Sequence, residues 1–287
     1  MRRTLWLTVP SAVLLAAAAG LLVSTAFAGS SKRKEPRLAG GDVNFVSSCR
    51  FSHRAGDDPI VLPGFPGLSH DHSFVGNTST NAGSTLATLQ AAGSTTCQRP
   101  GDTAAYWMPT LLVDGKPASP MGATIYYRRR TMARVKAFPA GLKMIAGSSK
   151  ATAPQDPRIT FWNCGVEAGV PRSSSVPTCP DMGRRGSALR LHVNFPSCWD
   201  GKNLDSLDHQ SHMAYADRGA CPSTHPVAVP AISLIYRYPV LGGPNVSLSS
   251  GGQYSAHADF FNAWNQQALN RLVQSCLNAL RHCGRGV

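Results

Sequence analysis

Leu189-Arg190-Leu191-His192-Val193-Asn194-Phe195 decides the fold class. Apolar and polar residues alternate at every step, which is the period of a strand with one face buried. Ala231-Ile232-Ser233-Leu234-Ile235-Tyr236-Arg237-Tyr238 repeats the pattern further along. Outward from these two runs, the same texture stands at Asn44–Val46, Pro59–Pro63, Ala105–Met108, Ala123–Tyr127 and Arg158–Trp162. Each is bounded by Pro, Gly or Ser, the punctuation of short strands. One stretch reads differently. Phe260, Phe261, Trp264, Ala268, Leu269, Leu272, Val273, Cys276, Leu277 and Leu280 recur at three- and four-residue steps. That stripe predicts a C-terminal helix capped by Asp259 and stopped by Gly284, with a shorter helix over Thr85–Ala92. The expected fold is mainly β, a sandwich or jelly roll, with long disulfide-stapled loops and a C-terminal α-helix.

Composition narrows the class. Of 287 residues, 15% are charged and 43% hydrophobic, which excludes a disordered polyelectrolyte and a long coiled coil. No short period recurs and only one long apolar run exists, which excludes collagen, solenoids and multi-span membrane proteins. That run, Leu5–Val23, follows Arg2-Arg3 and precedes Ala26-Phe27-Ala28, so residues 1–28 read as a cleaved secretion signal rather than a membrane anchor. Residues 29–42 read as a flexible basic leader and 43–287 as one domain, secreted to the extracellular space. Eight cysteines in an exported chain predict disulfides. Pairing of sequence neighbours gives Cys49–Cys97, Cys164–Cys179, Cys198–Cys221 and Cys276–Cys283. The net charge of +13 is carried mostly by arginine, clustered at Arg128-Arg129-Arg130 and Arg184-Arg185. Outside a cell such a balance favours anionic wall polymers. No nucleic-acid recognition motif accompanies it. No membrane partner is expected once the signal is removed.

The chemistry resides in histidines and aspartates. His70-Asp71-His72 places two imidazoles on one face of an extended segment. Asp200, Asp205, Asp208, His209 and His212 crowd into thirteen residues, with His225 beyond them and His257-Ala258-Asp259 before the helix. Imidazole with carboxylate suits zinc, copper or manganese. The same residues also suit metal-free acid–base catalysis, or simple turn closure by Asp and buried imidazoles bonded to carbonyls. The metalloprotease H-E-x-x-H, the nucleophile elbow, the P-loop and the dinucleotide fingerprint are all absent. Trp199, Asn203 and Tyr254 stand near the acids and suit stacking and hydrogen bonding to sugar rings.

Several motifs together resemble a known family. They are Asp58-Pro59-Ile60-Val61, Ser69-His70-Asp71-His72-Ser73-Phe74, Ala105-Tyr106-Trp107-Met108-Pro109 and Phe138-Pro139-Ala140-Gly141-Leu142. The most specific is Phe195-Pro196-Ser197-Cys198-Trp199-Asp200-Gly201-Lys202-Asn203-Leu204-Asp205-Ser206, continuing through Asp208-His209-Gln210-Ser211-His212 to His225-Pro226. In this order they resemble the secreted domain-of-unknown-function family DUF1996 of bacteria and filamentous fungi, whose fungal members are often joined to sugar-binding WSC modules. The resemblance implies work on cell walls or extracellular polysaccharide, and the copper response of fungal relatives implies a metal. One departure stands out: Ser249-Ser250-Gly251-Gly252-Gln253 lacks the acid usual before the last motif.

The resulting expectation is an enzyme, hydrolase or lyase, acting on extracellular or wall polysaccharide. Asp200, Asp205, Asp208, His209 and His212 are its catalytic candidates, and Trp199, Asn203 and Tyr254 its substrate contacts. His70, His72, His225, His257 and Asp259 are the metal candidates, with zinc or copper as the cofactor in the metal-dependent version. A non-catalytic wall- or glycan-binding protein and an extracellular copper- or zinc-binding protein are the alternatives.

Overall fold

The computed structural model describes residues 43–165, 168–181 and 188–285. The expected signal, the basic leader and Arg184-Arg185 lie outside the described residues. Ten strands build two five-stranded antiparallel sheets: β1 (Asn44–Cys49), β2 (Phe51–Ala55), β3 (His72–Gly76), β4 (Ala105–Pro109), β5 (Gly122–Arg128), β6 (Lys143–Gly147), β7 (Thr160–Asn163), β8 (Arg190–Asn194), β9 (Ala231–Arg237) and β10 (His257–Phe261). The first sheet runs β1-β5-β9-β8-β7 and the second β2-β3-β4-β10-β6. Smaller three-stranded sheets form around Cys198–Trp199 and around Leu111–Val113.

The alternation that predicted strands is the burial pattern observed. In β5, β8 and β9 every second side chain is buried, including Ile125, Tyr127, Leu191, Val193, Leu234 and Tyr236. These pack in one core with Val75, Tyr106, Met108, Met144 and Phe260 of the second sheet, so the sheets form a sandwich. The Tyr236 hydroxyl crosses between them to donate to the Ser73 carbonyl at 2.8 Å. The second sheet is buried on its outer face as well. There Phe74, Trp107 and Phe261 form a separate cluster with Ile60 and Leu89, under the segment that follows β2 and under α1 (Leu86–Ala92).

All eight cysteines pair with their sequence neighbours, as Cys49–Cys97, Cys164–Cys179, Cys198–Cys221 and Cys276–Cys283. Among the described residues no helix is long and apolar enough to cross a membrane.

Two local expectations are corrected. Pro59–Pro63 is a series of turns, because the prolines offer no ladder donor and Asp58 Oδ1 accepts from the Ile60 and Val61 amides at 2.8 and 2.9 Å. The C-terminal helix starts later than its apolar stripe. Phe260 and Phe261 belong to β10, which lies between β4 and β6 and is buried at every position. α2 (Gln266–Leu272) begins after Asn265, whose side chain accepts from the Ala268 amide at 2.9 Å, so Asn265 and not Asp259 is the cap. α2 then passes into a π-helical segment, Val273–Asn278.

Candidate metal centre

β3 and β10 flank β4, and the register decides what meets across it. Phe74 and Asp259 both pair with Trp107. His72 and His257 each stand two residues earlier on their strands, so both project from the same face, level with Pro109. Gly147 faces His257 in the adjoining strand at φ +83, where a Cβ would collide with the Ala256 carbonyl and the His257 backbone. Glycine there allows the close approach.

His70 completes the group from the turn before β3. The ligand atoms of His70, His72 and His257 all lie within 4.8 Å of one another. The closest pair, His70 Nε2 and His257 Nε2, is 3.1 Å apart. His72 Nδ1 donates to the Asp57 carbonyl and His257 Nδ1 to the Ser255 carbonyl, both at 2.9 Å. Each bond fixes the tautomer and turns the Nε2 lone pair inward, the outer-shell arrangement that orients metal-ligating imidazoles. His72 Nε2 is buried without a hydrogen-bond partner, and so are both carboxylate oxygens of Asp259. Asp259 Oδ2 is 3.9 Å from His257 Nε2, too far for a hydrogen bond and close enough to share an ion.

Electrostatics favour the same use. Burial, reinforced by neighbouring imidazoles, holds His72 well below the ordinary histidine range. Burial lowers His257 to about 4, against the opposing Ser255 carbonyl bond. Burial also lowers His70, against the pull of Asp71. All three are therefore neutral ligands at physiological pH. Burial raises Asp259 well above the carboxylate range, with Asp58 adding like-charge repulsion. Burial raises Asp58 too, opposed by its two amide bonds and by the charges of His209 and Lys143. A divalent cation placed among three neutral imidazoles and the Asp259 carboxyl would relieve the penalty of burying that acid. Three nitrogens and one oxygen form the borderline donor set of zinc or copper.

The 200–212 segment lies beside this centre as a strap along β6, the outer strand of its sheet. The Lys143 amide donates to the Leu204 carbonyl at 2.9 Å, His212 Nε2 to the Lys143 carbonyl at 2.7 Å and Gln210 Nε2 to the Gly147 carbonyl at 3.1 Å. Within the strap, Asp205 Oδ1 holds His209 Nδ1 at 2.8 Å, with Lys143 Nζ 3.6 Å from Asp205 Oδ2. His209 sits at φ +57, a left-handed conformation uncommon outside glycine and enriched at functional sites.

The other sequence candidates are spent on structure. Asp200 Oδ1 accepts the Lys202 and Asn203 amides, at 2.8 and 3.0 Å. Asp208 Oδ1 accepts the Gln210 and Ser211 amides and the Ser206 hydroxyl, and these bonds hold its carboxyl far below the usual range. His212 is buried between Ser206 Oγ and the Lys143 carbonyl. His225 stands apart from the three-histidine group, its Nε2 2.9 Å from the Ser211 carbonyl. Trp199 Nε1 donates to the Asn203 carbonyl at 2.7 Å and Asn203 Nδ2 to Asp200 Oδ2 at 2.6 Å, while the Tyr254 carbonyl accepts from Gln155. A separate cavity of about 560 Å³, lined by Arg99, Arg271, Arg285 and Trp264, includes none of these residues. Asp57, Asp58 and Lys143 are absent from the sequence-based site. The paired acids before Pro59 were the available signal.

No curated protein and no solved structure matches the chain. A family model does: the one described as domain of unknown function, DUF1996, matches residues 58–264, from the buried Asp58 through all three histidines and the strap to Trp264. With well over half of its length matched in this way, the chain belongs to the DUF1996 family.

Proposed function

We propose that the chain is an extracellular enzyme that cleaves polysaccharide at a divalent-metal centre held by His70, His72, His257 and Asp259. One observation carries the reading. Two imidazoles anchored through Nδ1 converge with a third, and a buried carboxylate without a hydrogen-bond partner, Asp259, stands 3.9 Å from one of them. An ion bound there would act as a Lewis acid and lower the pKa of a coordinated water. His70 is only partly buried and leaves that side of the centre open. Asp205 holds His209 through Nδ1 and so presents Nε2 as the group that carries a proton. Asp58 is buried and within electrostatic reach of both His209 and Asp259. Polysaccharide as substrate is supported by the family's company with sugar-binding modules.

The test is metal analysis of the secreted, disulfide-intact protein before and after dialysis against chelator. About one zinc or copper per chain is expected, lost in His257→Ala. His209→Ala is expected to keep the ion and to lose release of reducing ends from wall glycans. A protein that takes up neither zinc nor copper, with melting temperature unmoved by either, would sink the metal centre. A loaded protein that releases nothing from a glycan panel would remove the enzymatic half.

A further inference from the structure

The segment leading to His70 and the strap beside β6 carry apolar side chains in open solvent. Val61, Phe65 and Leu68 are 48%, 56% and 68% exposed on the segment leading to His70, and Leu204 and Leu207 are 42% and 104% exposed on the strap. The two segments approach each other: Asp58, at the start of the first, is within electrostatic reach of His209 and of Lys143, and Lys143 Nζ lies 3.6 Å from Asp205 Oδ2 of the strap. Neither is loosely held. Backbone bonds tie Leu62 to Asp58, Gly64 to Ala82 and Ser69 to Gly56, and Asp57 Oδ1 accepts the Gly67 amide at 2.9 Å. A tied loop that displays phenylalanine and leucine beside an open site loses little entropy when it is covered.

The charge around it selects the occupant. No charged residue occurs between Pro59 and Ser69. The strap bears Asp200, Asp205 and Asp208 against Lys202 and His209, so this face does not share the basic balance of the whole chain. An anionic polymer would meet those carboxylates. A lipid surface would have to take in Asp208, adjacent to the fully exposed Leu207 and held by two amides and a hydroxyl, and would strip water from its charge. A neutral glycan meets neither penalty. Its C–H faces cover Phe65 and the leucines, and its hydroxyls donate to Asp208 and pair with the exposed Gln210.

We propose that Val61, Phe65, Leu68, Leu204 and Leu207 form a binding platform for an uncharged polysaccharide running past the metal centre, and that anionic polymers are not its ligand. This rests on the polysaccharide reading above and narrows its substrate class. The experiment uses the disulfide-intact protein after chelation, so that binding is read independently of metal and turnover. Retention is measured on insoluble β-glucan and chitin, on soluble polygalacturonate and on phosphatidylglycerol vesicles. Wild type is expected to bind β-glucan or chitin, and the triple variant Phe65→Ala, Leu68→Ala, Leu207→Ala to bind it at least tenfold more weakly with an unchanged melting temperature. Glycan binding equal in wild type and variant, or none at all, overturns the platform. So does a loss confined to polygalacturonate or to vesicles. Metal stoichiometry, measured on the same samples, stands or falls separately.

Discussion

Asp102 shows what a single buried carboxyl does to this molecule. Trp264 Nε1 donates to Tyr127 Oη at 2.8 Å, and Tyr106 Oη donates to Asp102 Oδ1 at 2.8 Å. Since the one Tyr106 proton goes to Asp102, Tyr127 must donate to Tyr106, and a directed chain of four groups ends on the carboxyl. Burial lifts Asp102 from 3.8 to about 7, against hydrogen bonds from Ser47, Tyr106 and the Ala104 backbone and the charge of Arg99. The unfolded carboxyl ionises first, so this group favours folding fully below pH 3.8 and loses that contribution as pH rises through 7. The loss runs at about 1.4 kcal/mol per pH unit inside the window. Asp102→Asn removes the titration. Urea unfolding at several pH values should therefore find the variant gaining on wild type from pH 4 to 7.5, and a difference independent of pH would contradict this. Residues of this kind were only half legible in the sequence. Paired histidines are conspicuous, and the structure brings His70, His72 and His257 together out of a metal set that also held His225 and Asp259. Aspartates are not, because a carboxylate that closes a turn, as Asp200 and Asp208 do, reads like one that faces a site. Asp58 closes a turn through the Ile60 and Val61 amides and is not among the candidates the sequence offers.

Elements were legible where one face is buried and the other is wet. β5, β8 and β9 alternate cleanly, and α1 begins at Thr85, whose hydroxyl accepts the Thr88 amide. The reading failed where both faces are covered. β10 is buried throughout, so its Phe260-Phe261 pair merged with the helical stripe that follows and moved the helix start forward by six residues, from 260 to 266. The two caps can be separated by experiment. Asn265→Ala should cost about 1 kcal/mol in thermal or urea unfolding, the usual loss of an N-cap. Asp259→Asn should leave helical circular dichroism unchanged, because that residue stands inside a strand. Equal loss of helix signal in both variants would restore the earlier boundary.

For the whole molecule, local pairing was predictable and long-range pairing was not. Each disulfide joins sequence neighbours, yet the order β1-β5-β9-β8-β7 follows from which buried faces fit one another, and no turn motif encodes that. The four bridges differ in how much chain they restrain. Cys49–Cys97 spans 48 residues and Cys276–Cys283 spans 7. On chain entropy alone these are worth about 4 and about 2 kcal/mol. Double Cys→Ala replacement should therefore cost more at the first bridge than at the second, by roughly 2 kcal/mol in urea unfolding. The reverse order would mean that native packing around the C-terminal bridge outweighs restraint of the unfolded chain.

The strap over β6 has a consequence for how such proteins can diversify. Gln210 and His212 cover carbonyls of an outermost strand, and a few residues away Asp205 holds His209. In the proposed function, substrate contact and protection from edge-to-edge self-association fall to one short segment. Shortening the segment, or losing its last two polar anchors, would uncover a strand able to recruit a second copy of the chain.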